Sequence, residues 1–213
     1  MAGQKLECRL LTAEDIPASA QIVFDAFNDF SEKSGTASIP EVKIVSDRLK
    51  EYSLDTGLPG LLYGGFVDGV QVAFVMLRKL GIDEEAWEIS MLSVSPSLQR
   101  NGFGRKMVEY ALQEILGLKG VLAVCAVTEG NERALELFAK QGFESEASGV
   151  PVGENLFIWM LRKDMRNAVA ASIAAAEAAA DAKKEAEELS KIRIPSCGLD
   201  SCEGCSKDCG GDT

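Results

Sequence analysis

The feature that most constrains this chain lies between an apolar run, Trp87 to Val94, and a helix pattern, Arg105 to Leu116. The two are joined through Gln99-x-x-Gly102-x-Gly104. A strand, a glycine loop and a helix in that order leave the first backbone N–H groups of the helix unpaired and converging. The positive end of the helix dipole lies at the same point, which suits a diphosphate. Glycine belongs there because a side chain would hold the ligand away from the backbone.

Elements before and after the loop place it late in a sheet. Leu6 to Leu11 reads as a first strand. Thr12, with Asp15 three residues on, reads as the cap of an amphipathic helix to about Phe30. Ser31 to Pro40 is polar and reads as a loop, and Glu41 to Leu54 as a second helix. Leu61 to Val67 and Val70 to Leu80 are strands joined by Asp68-Gly69, a hairpin turn signal. Trp87 to Val94 continues that antiparallel meander. Val121 to Val127 is unbroken and apolar, as expected of a buried strand parallel to its neighbour. Asn131 to Gln141 is a short helix stopped by Gly142. Phe143 to Ala147 and Leu156 to Leu161 close the sheet, with Ser148 to Pro151 in the bend. The expected fold is α/β with a mixed sheet, and the expected division is a globular domain over 1–163, an Ala-rich helical extension over 164–194 and a Cys-rich tail over 195–213.

Asp164 to Ile192 lacks Gly and Pro and reads as a helix about 40 Å long. Its apolar stripe is thin (Met165, Val169, Ile173, then mostly Ala). The helix is therefore either largely solvated or a weak self-association surface that would make a homodimer. Pro195 stops it. Cys197, Cys202, Cys205 and Cys209 follow as C-x4-C-x2-C-x3-C. Four thiolates so close suit a tetrahedral soft metal, zinc first and an iron–sulfur cluster second. Two disulfides and an unliganded redox-active tail stay open as alternatives. Cys8 and Cys125 sit in apolar runs and read as buried small hydrophobes.

Charge and composition narrow the partners. The chain carries a net charge of −11, which disfavours nucleic acid and anionic membrane and is compatible with a cationic acceptor such as an amine. No stretch is apolar enough to span a bilayer, and Lys5, Glu7 and Arg9 interrupt any apolar leader, so a cytoplasmic protein is expected. With no histidine in 213 residues, the usual Ser-His-Asp and Cys-His mechanisms are excluded. Proton transfer must use Glu, Asp, Tyr, Cys, Lys or water.

Three diphosphate ligands compete for the loop. A Walker loop needs Gly-Lys-Ser/Thr, and Gly104-Arg105-Lys106-Met107 lacks the hydroxyl. A dinucleotide fingerprint needs three glycines opening a βαβ unit, and here two follow an antiparallel region. Coenzyme A is the third. The loop, together with Asn131-Glu-Arg-Ala134-Leu-Glu-Leu137-Phe138-Ala-Lys-Gln-Gly142-Phe143, resembles the GNAT superfamily of N-acetyltransferases over about residues 5–163. A loop whose glycines only permit tight packing is the bland alternative.

That resemblance implies a mostly antiparallel central sheet, splayed at its fourth and fifth strands, with helices on both faces. It implies transfer of an acetyl group from acetyl-CoA to a primary amine, of a small molecule or a protein, in a ternary complex. The acyl-CoA-binding domain would be residues 1–163. Backbone groups of Leu92 and Val94 would bind pantetheine, and the loop Gln99, Arg100, Asn101, Gly102, Phe103, Gly104 and Arg105 the pyrophosphate. Arg100 and Arg105 would add charge, or be solvated loop charge only. Asn131 would touch pantetheine, or only cap its helix. Phe138 stands beside the pantetheine arm where many members place a tyrosine that protonates the leaving thiolate, and phenylalanine cannot do so.

Glu88 is the candidate catalytic base, six residues before Val94, where one branch of the superfamily places a glutamate. Strand periodicity puts Glu88, Ser90, Leu92 and Val94 on one face. The bland reading of Glu88 is an exposed or ion-paired carboxylate. A different class of function is an acyl-CoA-binding sensor or scaffold without turnover, carrying a metal-binding tail.

Overall fold

The computed structural model describes residues 5–54, 60–81, 85–153 and 156–191. Seven strands form one sheet in the order β1-β2-β3-β4-β5-β7-β6. They are β1 Glu7–Leu10, β2 Gly60–Val67, β3 Val70–Leu80, β4 Ala86–Val94, β5 Leu122–Thr128, β6 Glu144–Gly153 and β7 Leu156–Asp164. All neighbours are antiparallel except β4 and β5, which are parallel. The mixed α/β fold expected from the sequence is the one observed.

The β2–β3 turn is the expected one: Asp68 and Gly69 both take positive φ, at 50° and 79°, in a two-residue hairpin between Val67 and Val70. Helix α1, Ile16–Ser34, starts after a short 3-10 turn at Ala13–Asp15. The Asp15 carboxylate accepts from the Thr12 N–H at 2.8 Å and from the Arg9 guanidinium at 2.8 Å, tying β1 to the helix start. Helix α1 runs one turn beyond Phe30, so Ser31 to Ser34 are helical rather than loop. Gly35 ends it with φ 71°. The side chain of Asn28 exchanges two hydrogen bonds with the backbone of Ile39, at 3.0 and 2.8 Å, folding the following loop back against the helix. Helix α2 is Val42–Leu54.

Helices cover both faces of the sheet. On one face α1 and α2 bury Ile22, Val23, Val45 and Leu49 against Phe74 and Met76 of β3. On the other, α3, Phe103–Gly117, and α4, Glu132–Lys140, bury Met107, Val108, Ile115 and Phe138 against Val75, Leu77, Ile89 and Cys125. Leu49 and Leu77 are fully buried. Truncating either to alanine would cost about 2–5 kcal/mol. Two such layers on one sheet make a stiff frame on which a site can be held.

The last hairpin differs from the sequence expectation. Ser148 to Pro151 are not a bend but part of β6, which pairs with β7 through three register shifts. One of those shifts absorbs Gly149, whereas Pro151 stays in register with Phe157 and is tolerated because β6 is an edge strand. Strand β7 lies between β5 and β6 and continues to Asp164, so α5, Arg166–Lys191, begins two residues later than expected. Residues 1–172 and 173–213 form separate units, and the described part of the second, residues 173–191, is helix. The four tail cysteines lie outside the described residues. Among the described residues no helix is long and apolar enough to cross a membrane.

Candidate active site

The sheet opens where its parallel pair stops. Strands β4 and β5 are in register at Ala86–Leu122, Trp87–Ala123 and Glu88–Val124, and pair no further. Beyond that apex the C-terminal parts of both strands line a cleft of about 700 Å³, with Ile89 to Val94 except Ser90 on one side and Ala126 to Thr128 on the other. Parallel strands that part in this way leave backbone donors and acceptors free for an extended ligand.

A bulge in β4 shapes the floor. Phe74 pairs with Ser93 and Met76 with Ser90, so Met91 and Leu92 together oppose one residue of β3. Met91 takes φ 51°, a left-handed conformation that is costly for a bulky side chain. The bulge inverts the alternation of the strand. Met91 packs toward α1 and α2, whereas Leu92 and Val94 pack toward α3. Glu88 therefore does not share a face with Leu92 and Val94. It shares one with Arg78 of β3, its register partner, and accepts a hydrogen bond from Arg78 Nε at 2.8 Å.

The glycine loop stands at one end of the cleft. Gly102 caps α3 with φ 80°, and Arg100 before it also has positive φ, 66°. The loop is braced from within: Gln99 Nε2 donates to the Val94 carbonyl at 3.3 Å, and Asn101 Nδ2 to the Leu98 carbonyl at 3.1 Å. The first intrahelical donor is the Lys106 N–H, to Gly102 O at 3.1 Å. The N–H groups of Phe103, Gly104 and Arg105 precede it, so they are the orphan donors of the helix start. The Phe103 side chain is buried in the core and anchors this turn. A Cβ on Gly104 would lie 3.5 Å from Leu137 and 3.9 Å from Val94, ordinary contact distances, so the protein itself does not demand glycine there.

Helix α4 forms the adjoining wall. Its cap Asn131 accepts the Ala134 N–H at 3.2 Å, and both line the cleft with Leu137 and Phe138. Phe138 is buried and stacks edge-on with Phe143, ring centroids 5.1 Å apart. The sequence pattern pointed to Leu92, Val94, Gln99, Arg100, Gly102, Gly104, Arg105, Asn131 and Phe138, and the fold brings all nine to this cleft. Asn101, Phe103 and Glu88 stand outside its lining.

Charge in the cleft runs against charge in the chain. The protein is acidic, at −11, yet among the described residues the lining has five basic side chains, Lys33, Arg100, Arg105, Arg133 and Lys140, and two acidic ones, Asp29 and Glu136. Arg105 pairs with Glu109, and Lys140 with Glu136, both at helical i,i+4 spacing. Sequence reasoning missed Arg133 and Met91; it expected the acceptor to enter between the region around Phe27 to Ile44 and the Glu144 to Asn155 bend, but named neither Phe30 nor Lys33 as a site residue. Arg133 lies two residues after the Asn131 cap and could have been found from it. The others sit on a helix face and at a bulge that no motif marks.

Two comparisons bear on what this cleft is. The acetyltransferase (GNAT) family model matches residues 24–143. This chain belongs to that family. Among solved structures with the same fold is PaiA N-acetyltransferase from Thermoplasma acidophilum in complex with coenzyme A: 16% identity, TM-score 0.62, covering 75% of this chain and 99% of that one. An acetyltransferase from Thermus thermophilus is similar at 23% identity and TM-score 0.61, covering 77% and 99%. The ribosomal-protein-S18-alanine N-acetyltransferase from Escherichia coli is similar at 16% identity and TM-score 0.59, covering 75% and 94%. Comparison with curated proteins gave no match.

Proposed function

We propose that the protein transfers an acetyl group from acetyl-CoA to a primary amine. The observation that carries this reading is the orphan N–H turn of α3 facing a cationic cleft at the β4–β5 opening. The residues fit an acyl-CoA. Backbone N–H groups of Phe103 to Arg105 and the Arg100 and Arg105 side chains would hold the pyrophosphate. The open edges of Leu92 and Val94 would take the pantetheine amides, with Asn131 and Phe138 alongside.

The chemistry needs little more than placement. The amine nitrogen attacks the thioester carbonyl, a C–N bond forms and the C–S bond breaks. Holding both reactants in one cleft makes this a unimolecular step. Glu88 pairs with Val124 at the apex where the strands part but stands outside the cleft lining, so it takes the amine proton through an intervening water. Arg78 holds its carboxylate in place. Phe138 donates no proton, so the thiolate leaves as such or takes one from water. Its pKa, like that of other thiols, lies within about two units of neutrality. No acyl-enzyme is required.

The test is acetyl-CoA binding by calorimetry together with CoA release across a panel of amines. Binding with amine-dependent release supports transfer. Binding without release from any amine would make the protein an acyl-CoA sensor. The tail over 195–213 is read as a separate soft-metal site through Cys197, Cys202, Cys205 and Cys209. Reduced protein that takes up no zinc would remove it.

A further inference from the structure

We infer that the acceptor is a small amine carried on an apolar or aromatic body, with no more than one positive charge. The inference rests on the transferase reading above and assigns the substrate class of the same cleft.

The two ends of the cleft differ in chemistry. One is the N–H turn of α3 with Arg100, Arg105 and Arg133, and it suits the anionic donor. The other is the C-terminal part of α1, which contributes Ala26, Phe27, Asp29, Phe30 and Lys33, with Met91 turned toward it by the bulge. Phe27 is 39% exposed, an aromatic ring left open beside the cleft rather than spent on the core. Met91 adopts a strained φ to stand on the same side.

Charge at that end argues against a polycation. A polyamine or an aminoglycoside needs several carboxylates spaced to meet its ammonium groups. The α1 wall carries one, Asp29, and it is already paired with Lys33. Lys33, which also lines the cleft, neutralises that carboxylate, so the α1 wall offers no net negative charge to hold a second ammonium group. The acidity of the chain as a whole is thus no guide to its acceptor, since among the described residues only Asp29 and Glu136 of its acids line the cleft. What the wall does offer is Phe27, Phe30 and Met91, which repay burial of an apolar or aromatic body.

The experiment measures CoA release by the full chain with phenethylamine, spermidine, kanamycin and a peptide with an N-terminal alanine. The kcat/KM for phenethylamine is expected to exceed each of the others by at least about tenfold. Phe27→Ala should raise KM for phenethylamine on the order of tenfold and leave KM for acetyl-CoA within about twofold, and Phe27→Tyr should restore it. Lys33→Glu should raise kcat/KM for spermidine. Preference for spermidine, kanamycin or the peptide, or an unchanged phenethylamine KM in Phe27→Ala, overturns the acceptor class and leaves transferase function standing. Acetyl-CoA binding with no CoA release from any amine overturns both.

Discussion

The two ends of the cleft are made of different materials. The end proposed for the donor is backbone: the N–H groups of Phe103, Gly104 and Arg105 after a left-handed Gly102. The end proposed for the acceptor is side chains: Phe27 and Phe30 from a regular helix, and Met91 from a bulge. A backbone site demands particular φ angles and room for close approach, and only a few residue types meet those demands. Such a site writes a motif. A side-chain wall on a helix accepts any residues of the right size and polarity, so it writes none. One end can therefore be shared by a whole family while the other changes from member to member.

The largest expected effect is at the seam between the two ends. Glu88→Gln should lower kcat on the order of a hundredfold, the lower range for a lost general base, and change the shape of the kcat–pH profile. KM for acetyl-CoA should stay within about twofold. A variant that keeps its kcat and loses only thermal stability would reduce Glu88 to the partner of Arg78, with which it pairs across β3 and β4.

The donor end is tested next, with two effects of opposite sign. Gly104→Ala places a Cβ at ordinary contact distance from Leu137 and Val94, so the empty protein accommodates it. Alanine in place of glycine within a helix should stabilise the fold by about 0.5–1 kcal/mol. The same methyl group meets a ligand seated on the N–H turn, and KM for acetyl-CoA should rise about tenfold or more. Greater stability with unchanged KM would return the loop to a mere packing device. Gly102→Ala serves as the contrast, because φ 80° penalises alanine by about 1–2 kcal/mol whether or not a ligand binds.

How much of this can be read from the residues alone follows the same division. The glycine loop, the Asn131 cap and the buried run that forms β5 each have a one-line physical cause, and each lies where the residues place it. The face shared by Glu88, Ser90, Leu92 and Val94 is misjudged because period-two counting assumes an unbroken strand. The residue that breaks it, Met91, is a type with no preference for positive φ. Likewise Ser31 to Ser34 look like loop because they are polar. Their helical state depends on Gly35 and on the Asn28–Ile39 bonds, which are tertiary. The strand state of Ser148 to Pro151 comes from pairing with β7, against the local propensity of Gly149 and Pro151.

The smallest expected effect breaks the acceptor end while sparing the donor end. Helix α1 hangs from the clasp of Arg9, Thr12 and Asp15. The Arg9 guanidinium foremost, and then the Thr12 N–H and hydroxyl, hold the Asp15 carboxyl well below the usual carboxylate range. A group depressed in the folded state stabilises at every pH above its unfolded value, here near 3.8, and that contribution fades as pH falls below it. Asp15→Asn removes the charge and should cost about 1 kcal/mol, as lost helix caps do. The cost should be constant from pH 8 to about pH 5 and shrink below about pH 4, read from denaturant melts of both proteins. Because α1 carries Phe27 and Phe30 but none of the α3 donors, KM for the amine should rise by a small factor in Asp15→Asn and KM for acetyl-CoA should not. Equal rises in both would mean that the two ends of the cleft are not mechanically separate, and that α1 supports the donor as well.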